Sequence, residues 1–189
     1  MTGRHASFQG ASFGLTRPTI FRRASLVTTI AVVVLWAGVA PAFAQGGDGS
    51  DNGGTLLAAW LLGLEGLVLA GMGIFFIFVR PALLPEDLHF LQQQEKEIDT
   101  AVPRLHPWLR HVFVVLGGHA LSAGLLTIFV AATAVRNGDQ TAVAVLAAAG
   151  GGSVALMTAV NFSIRSQFRW LLLVVVGLWL AGLIAALLS

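Results

Sequence analysis

No cysteine occurs in the 189 residues, which excludes disulfides and leaves no thiol to carry a lipid anchor. Charge is scarce as well. Asp, Glu, Lys and Arg make up 11% of the chain, against about 25% in a soluble domain. Lysine occurs once, at Lys96, and no clustered basic stripe of the kind that grips nucleic acid is present, so no nucleic-acid partner is expected. No internal repeat of 20–50 residues is evident, and no known catalytic pattern survives inspection. What the chain has instead is apolar surface: 56% of it is hydrophobic. Such a composition cannot be wrapped inside a water-facing shell, so the lipid bilayer is the expected surrounding.

The first apolar stretch has its own signature. Arg4, Arg17, Arg22 and Arg23 precede it with no acid among them, a short apolar run covers 26–39, and Pro41 then breaks the helix ahead of Ala42-Phe43-Ala44. This three-part pattern predicts a secretory signal peptide over 1–44, cleaved after Ala44. The alternative is an uncleaved anchor, which would need a longer apolar span. Residues 45–54, glycine-rich with Asp48 and Asp51, read as a flexible extracytoplasmic tail.

Four longer apolar runs follow, at about 55–79, 109–135, 141–160 and 168–188. Each is long enough to cross a bilayer as a helix, and each is continuous rather than alternating, so helices and not barrel strands are predicted. The expected fold is all-α: a transmembrane four-helix bundle over 55–189, preceded by a signal peptide, with a short amphipathic cytoplasmic helix in the loop 80–108. Arg80, Lys96, Arg104 and Arg110 lie in the loop segment and Arg165 and Arg169 in the turn 161–169, whereas Arg136 stands alone on the other side. The positive-inside rule puts the loop and that turn in the cytoplasm, with the mature N-terminus and the C-terminus outside. The expected location is a bacterial inner membrane. Trp108 and Trp170 suit the cytoplasmic interface, and Pro107 suits a first helical turn.

Within the loop, Pro85-Glu86-Asp87 is a helix-start pattern, and Leu88, Leu91 and Ile98 share one face of a helix running up to Pro103. Acids slightly outnumber bases there, so strong attraction to anionic lipid is not expected. Arg80-Pro81, Leu84-Pro85-Glu86-Asp87-Leu88, Trp108-Leu109-Arg110, Leu125-Leu126-Thr127 and Val160-Asn161-Phe162 together make the chain from Leu57 onward resemble small uncharacterised bacterial four-helix integral membrane proteins. The resemblance implies the same topology and brings no activity with it.

Two polar residues interrupt the spans. Glu65 lies within the first and His119 within the second. A carboxylate near mid-bilayer costs about 2.5–3.5 kcal/mol on insertion scales, so such a residue is a functional candidate. Glu65 and His119 could pair across the two helices, to relay protons or bind a polar ligand. Alternatively Glu65 is a protonated group bonded to a neighbouring helix, and His119 bonds a helix carbonyl or Ser122. His89, His106 and His111 lack tight ligand spacing, and only His119 is clearly intramembrane, so neither a metal nor haem is expected, nor any other cofactor. Gly150-Gly151-Gly152-Ser153 lacks the lysine of a phosphate loop. Small residues four apart (Gly66 and Ala70, Gly118 and Ser122, Gly151 and Ala155, Ala155 and Ala159) are expected to pack the bundle internally. The functional expectation is a non-enzymatic accessory or structural membrane protein, a helper subunit touching a partner through the loop 80–107. The runner-up is a small proton-coupled carrier using Glu65 and His119.

Overall fold

A computed structural model of the chain describes residues 53–189, and the expected signal peptide 1–44 and most of the expected tail lie outside the described residues. Every regular element among the described residues is helical: α1 (Gly53–Phe78), α2 (Pro85–Leu91), α3 (Glu95–Ala101), α4 (Leu105–Val130), α5 (Gln140–Gly150), α6 (Leu156–Ser163) and α7 (Arg169–Leu187). A π-helical turn, Ala131–Val135, extends α4, and a second, Gly151–Ala155, joins α5 to α6. Four helices are therefore long and apolar enough to cross a membrane: Gly53–Phe78, Leu105–Val135, Gln140–Ser163 and Arg169–Leu187. The apolar runs predict all four, to within a few residues at each end.

The first helix is the centre of the bundle. Half of its apolar window is buried within the protein, against 17% for the second span. It packs along α4 on one side and along α7 on another, while the third span packs on α7. Contact between α1 and α4 rests on glycine. A Cβ added to Gly124 would lie 2.5 Å from the Gly66 carbonyl oxygen and 2.5 Å from the Ala70 nitrogen, and one added to Gly117 would lie 2.7 Å from the Gly73 carbonyl oxygen. Only hydrogen at these positions lets the two backbones meet, which is how helices associate where no hydrophobic drive separates lipid from side chain. Ala58, Leu62, Ala131, Val135, Val143, Leu146, Leu183 and Ala186 close one end of the core, and Leu69, Val154 and Val175 form a separate layer further along.

Three expectations need correction. Gly53 and Gly54 belong to α1, so the tail ends sooner than residue 54. The single loop helix is two helices: Gln92 takes a left-handed conformation (φ 53°), and α3 restarts from Gln94, whose N–H donates to the Glu97 carboxylate at 3.0 Å. The break puts Ile98 on a different helix from Leu88 and Leu91, so the three no longer share one continuous face. Ile98 is buried and Leu91 is exposed. Third, Gly118 and Ser122 do not pack the bundle. The space around Gly118 is open and Ser122 is exposed, because the glycines that touch α1 are Gly117 and Gly124 on the other side of α4.

Candidate functional site

Glu65 is buried, 2% exposed, twelve residues from the start of the 26-residue α1. It follows Leu62 by three residues and precedes Leu69 by four, so the three share one stripe of the helix. Leu62 packs in the layer containing Leu146 and Leu183, and Leu69 in the layer containing Val154 and Val175. Glu65 therefore lies between those layers, about 100° round α1 from Gly66, which meets α4. Trp179 and Gly150 occupy the same interval. The Trp179 Nε1–H donates to the Leu146 carbonyl oxygen at 3.1 Å, and its ring sits where a Gly150 Cβ would be. The π-helical turn Gly151–Ala155 begins there. The glycine run offers no side chain to resist the wider winding, and such turns are frequent at functional positions. Among the described residues, no hydrogen bond or ion pair engages the Glu65 carboxyl.

The structure does not bring His119 to it. Gly66 meets Gly124 and Gly73 meets Gly117, so the antiparallel register sets Glu65 level with Leu125. His119 is six residues away, about 9 Å along the axis. It also points the wrong way: two residues from both Gly117 and Leu121, which face α1, it lies about 200° round α4 from either. His119 is exposed on the outer face, and its Nδ1–H donates to the Val115 carbonyl oxygen at 2.8 Å. Of the alternatives open in the sequence, the helix-carbonyl bond is the one formed. Ser122 lies one turn further on the same face, with no hydrogen-bond partner among the described residues.

A second polar cluster sits at the other ends of α1 and α4. The Arg80 guanidinium carbon lies 3.4 Å from the Phe113 ring centroid and 5.3 Å from that of Phe76. Its Nη2 contacts Asp87 Oδ2 at 3.4 Å, and Asp87 Oδ2 also accepts from the Leu84 N–H at 2.8 Å, holding the start of α2. Burial pulls the Arg80 guanidinium below the usual arginine range, while Asp87 and Glu86 pull it back up. Arginine keeps its charge in such surroundings. Arg80 Nη1 is buried without a hydrogen-bond partner. His106 Nε2 lies 3.1 Å from Asp99 Oδ1, and His111 Nδ1–H donates to the Pro107 carbonyl oxygen at 2.7 Å. His89, His106 and His111 do not converge, and no group of three metal-ligating side chains forms among the described residues. Sequence reasoning missed Arg80 as an aromatic-caged cation. Phe76 precedes it by four residues at the end of α1, but Phe113 comes from another helix.

No protein-family model, curated protein or solved structure matches the chain.

Proposed function

We propose that this chain is a non-enzymatic accessory subunit of a bacterial inner-membrane assembly, docking a transmembrane helix of a partner protein against the outer face of α4. The loop 80–107 lies in the cytoplasm in this reading and extends the contact below the membrane. Both termini of the mature chain lie outside. The arginine and lysine distribution supports that orientation.

The observation that carries the reading is the outward pair His119 and Ser122. His119 is fourteen residues from the start and sixteen from the end of the span Leu105–Val135, so it sits at mid-depth. With Nδ1–H committed to the Val115 carbonyl, the neutral ring of the exposed His119 keeps Nε2 as an acceptor without a partner among the described residues. The exposed Ser122 hydroxyl adds a donor beside it. Facing hydrocarbon, each group forfeits a hydrogen bond at a cost of a few kcal/mol. A partner helix presenting a hydroxyl, amide or indole N–H removes that cost, and the open surface at Gly118 lets its backbone come close. The proton-carrier alternative draws on Glu65 and His119 together, and their separation and opposite facing give it no geometric support.

The test is photo-crosslinking in native membranes from a benzophenone side chain at Ser122, with a control at Val174 on the outer face of α7. One discrete heteromeric adduct from Ser122, lost with His119→Leu and absent from Val174, is the expected result. Adducts to lipid alone, or only to a second copy of the chain, would overturn it.

A further inference from the structure

The loop 80–108 carries five acids against three Lys and Arg, yet the ionisable residues lining one cleft beside it are all basic. Between the last turn of α1 and the first turn of α4 lies a cleft of about 500 Å³, lined by Arg80, Arg110, His106 and His111 with no acid among its walls. No loop acid lines the cleft itself, although Asp87 and Asp99 each meet one of its basic residues. Glu86 accepts from Ser166, Asp87 is taken by Arg80 and the Leu84 N–H, Glu97 caps α3, and Asp99 meets His106. Arg110 is exposed and has no ion pair among the described residues. Arg80 lines the wall with its Nη1 buried and its Nη2 on Asp87, so it is no free donor there. The first turn of the 26-residue α4 adds the positive end of its dipole.

The other wall is apolar. Phe76, Ile77, Phe78 and Val79 line it at the end of the first span. Phe78 is exposed, and Trp108 is 60% exposed beside the opposite wall. A basic pocket opening beside apolar residues, at the depth where helices leave the hydrocarbon, matches a molecule with a phosphate at one end and acyl chains at the other. We infer that this cleft binds the phosphate of an anionic phospholipid from the leaflet facing the loop 80–107. Basic pockets at helix ends recognise such head groups on the same principle. Arg110, with His111 beside it, holds the phosphate oxygens, and the α1 wall receives the glycerol and upper acyl carbons.

Native mass spectrometry of the full-length protein in neutral detergent, titrated with phosphatidylglycerol, phosphatidylcholine or glycerol 3-phosphate, tests this. Phosphatidylglycerol is expected to bind about tenfold more tightly than phosphatidylcholine, the scale set by one to two surface cations. Arg110→Gln combined with His111→Gln removes most of that preference. Both residues are exposed, so helix content by circular dichroism stays unchanged. Arg165→Gln, an exposed arginine outside the cleft, leaves the preference intact. Equal binding of the two lipids overturns the site. So does a preference that survives the double substitution, or one that Arg165→Gln lowers as much. Glycerol 3-phosphate binding as tightly as the lipid would keep a phosphate site and overturn its assignment to phospholipid.

Discussion

The Ser166 hydroxyl donates to the Glu86 carboxylate at 3.2 Å, joining residues 80 positions apart. Ser166 is buried, and its oxygen also accepts from the Phe168 N–H at 3.1 Å. The contact fastens the start of α2 to the turn between the third and fourth spans, so the two arginine-rich segments meet at one end of the bundle. Ser166→Ala should loosen the loop at a cost of about 1 kcal/mol, that of an ordinary hydrogen bond because Glu86 is partly exposed. Limited proteolysis within 80–107 should accelerate about fivefold. An unchanged cleavage rate would show that the loop is held by other contacts.

The two kinds of glycine in α4 make opposite predictions. Gly124→Ala places a methyl against the α1 backbone and should destabilise the protein by about 1–3 kcal/mol. Gly118→Ala enters open space and should stay within about 0.5 kcal/mol of the parent. Denaturation in mixed micelles distinguishes them, and equal losses contradict the register that pairs Gly66 with Gly124.

Glu65 is buried with no partner among the described residues, so its polar atoms add nothing to stability in this arrangement. Glu65→Met, close in volume and apolar, should raise stability by about 1 kcal/mol, and Glu65→Gln should leave it nearly unchanged. Loss of stability in both variants would mean that the carboxyl is held by a group the packing does not reveal.

Trp179 and Gly150 should behave as a coupled pair. Gly150→Ala drives a methyl into the indole ring and should cost about 1–3 kcal/mol. In a Trp179→Leu background the ring is gone, so Gly150→Ala should cost much less there. A double-mutant cycle on thermal stability measures the coupling, and additive losses would disprove the contact.

Absence of cysteine makes topology testable on a silent background. Gln93→Cys and Asn137→Cys lie at opposite ends of the bundle and are both exposed. In intact cells an impermeant maleimide should label Asn137→Cys and spare Gln93→Cys until the membrane is opened. The reverse pattern inverts the orientation.

Hydrophobic run length was enough to place the four spans, because a helix in lipid must satisfy its backbone within itself and only about twenty apolar residues will reach across. Scarce charge excluded a water-facing fold for the same reason. The loop was harder to read. Its composition suits one amphipathic helix, and the break at Gln92 depends on a left-handed residue that no glycine announces. Gly118 and Ser122 matched a packing motif as well as Gly66 and Ala70 did, since spacing along one helix carries no information about which face meets a neighbour. The glycine pairs seven residues apart in both spans, Gly66 with Gly73 and Gly117 with Gly124, were the available signal for the true interface.

The sequence by itself determined the class of protein, the number of spans and the two polar residues within them, all consequences of transfer free energy residue by residue. Tertiary structure alone decided where those residues face. Helix rotation and register follow from close approach of backbones at particular glycines, a property of pairs of helices. That rotation turns Glu65 inward and His119 outward. The same packing gathers Arg80, Arg110, His106 and His111 around one cleft that no acid lines, though the linear chain spreads them among acids from 80 to 111.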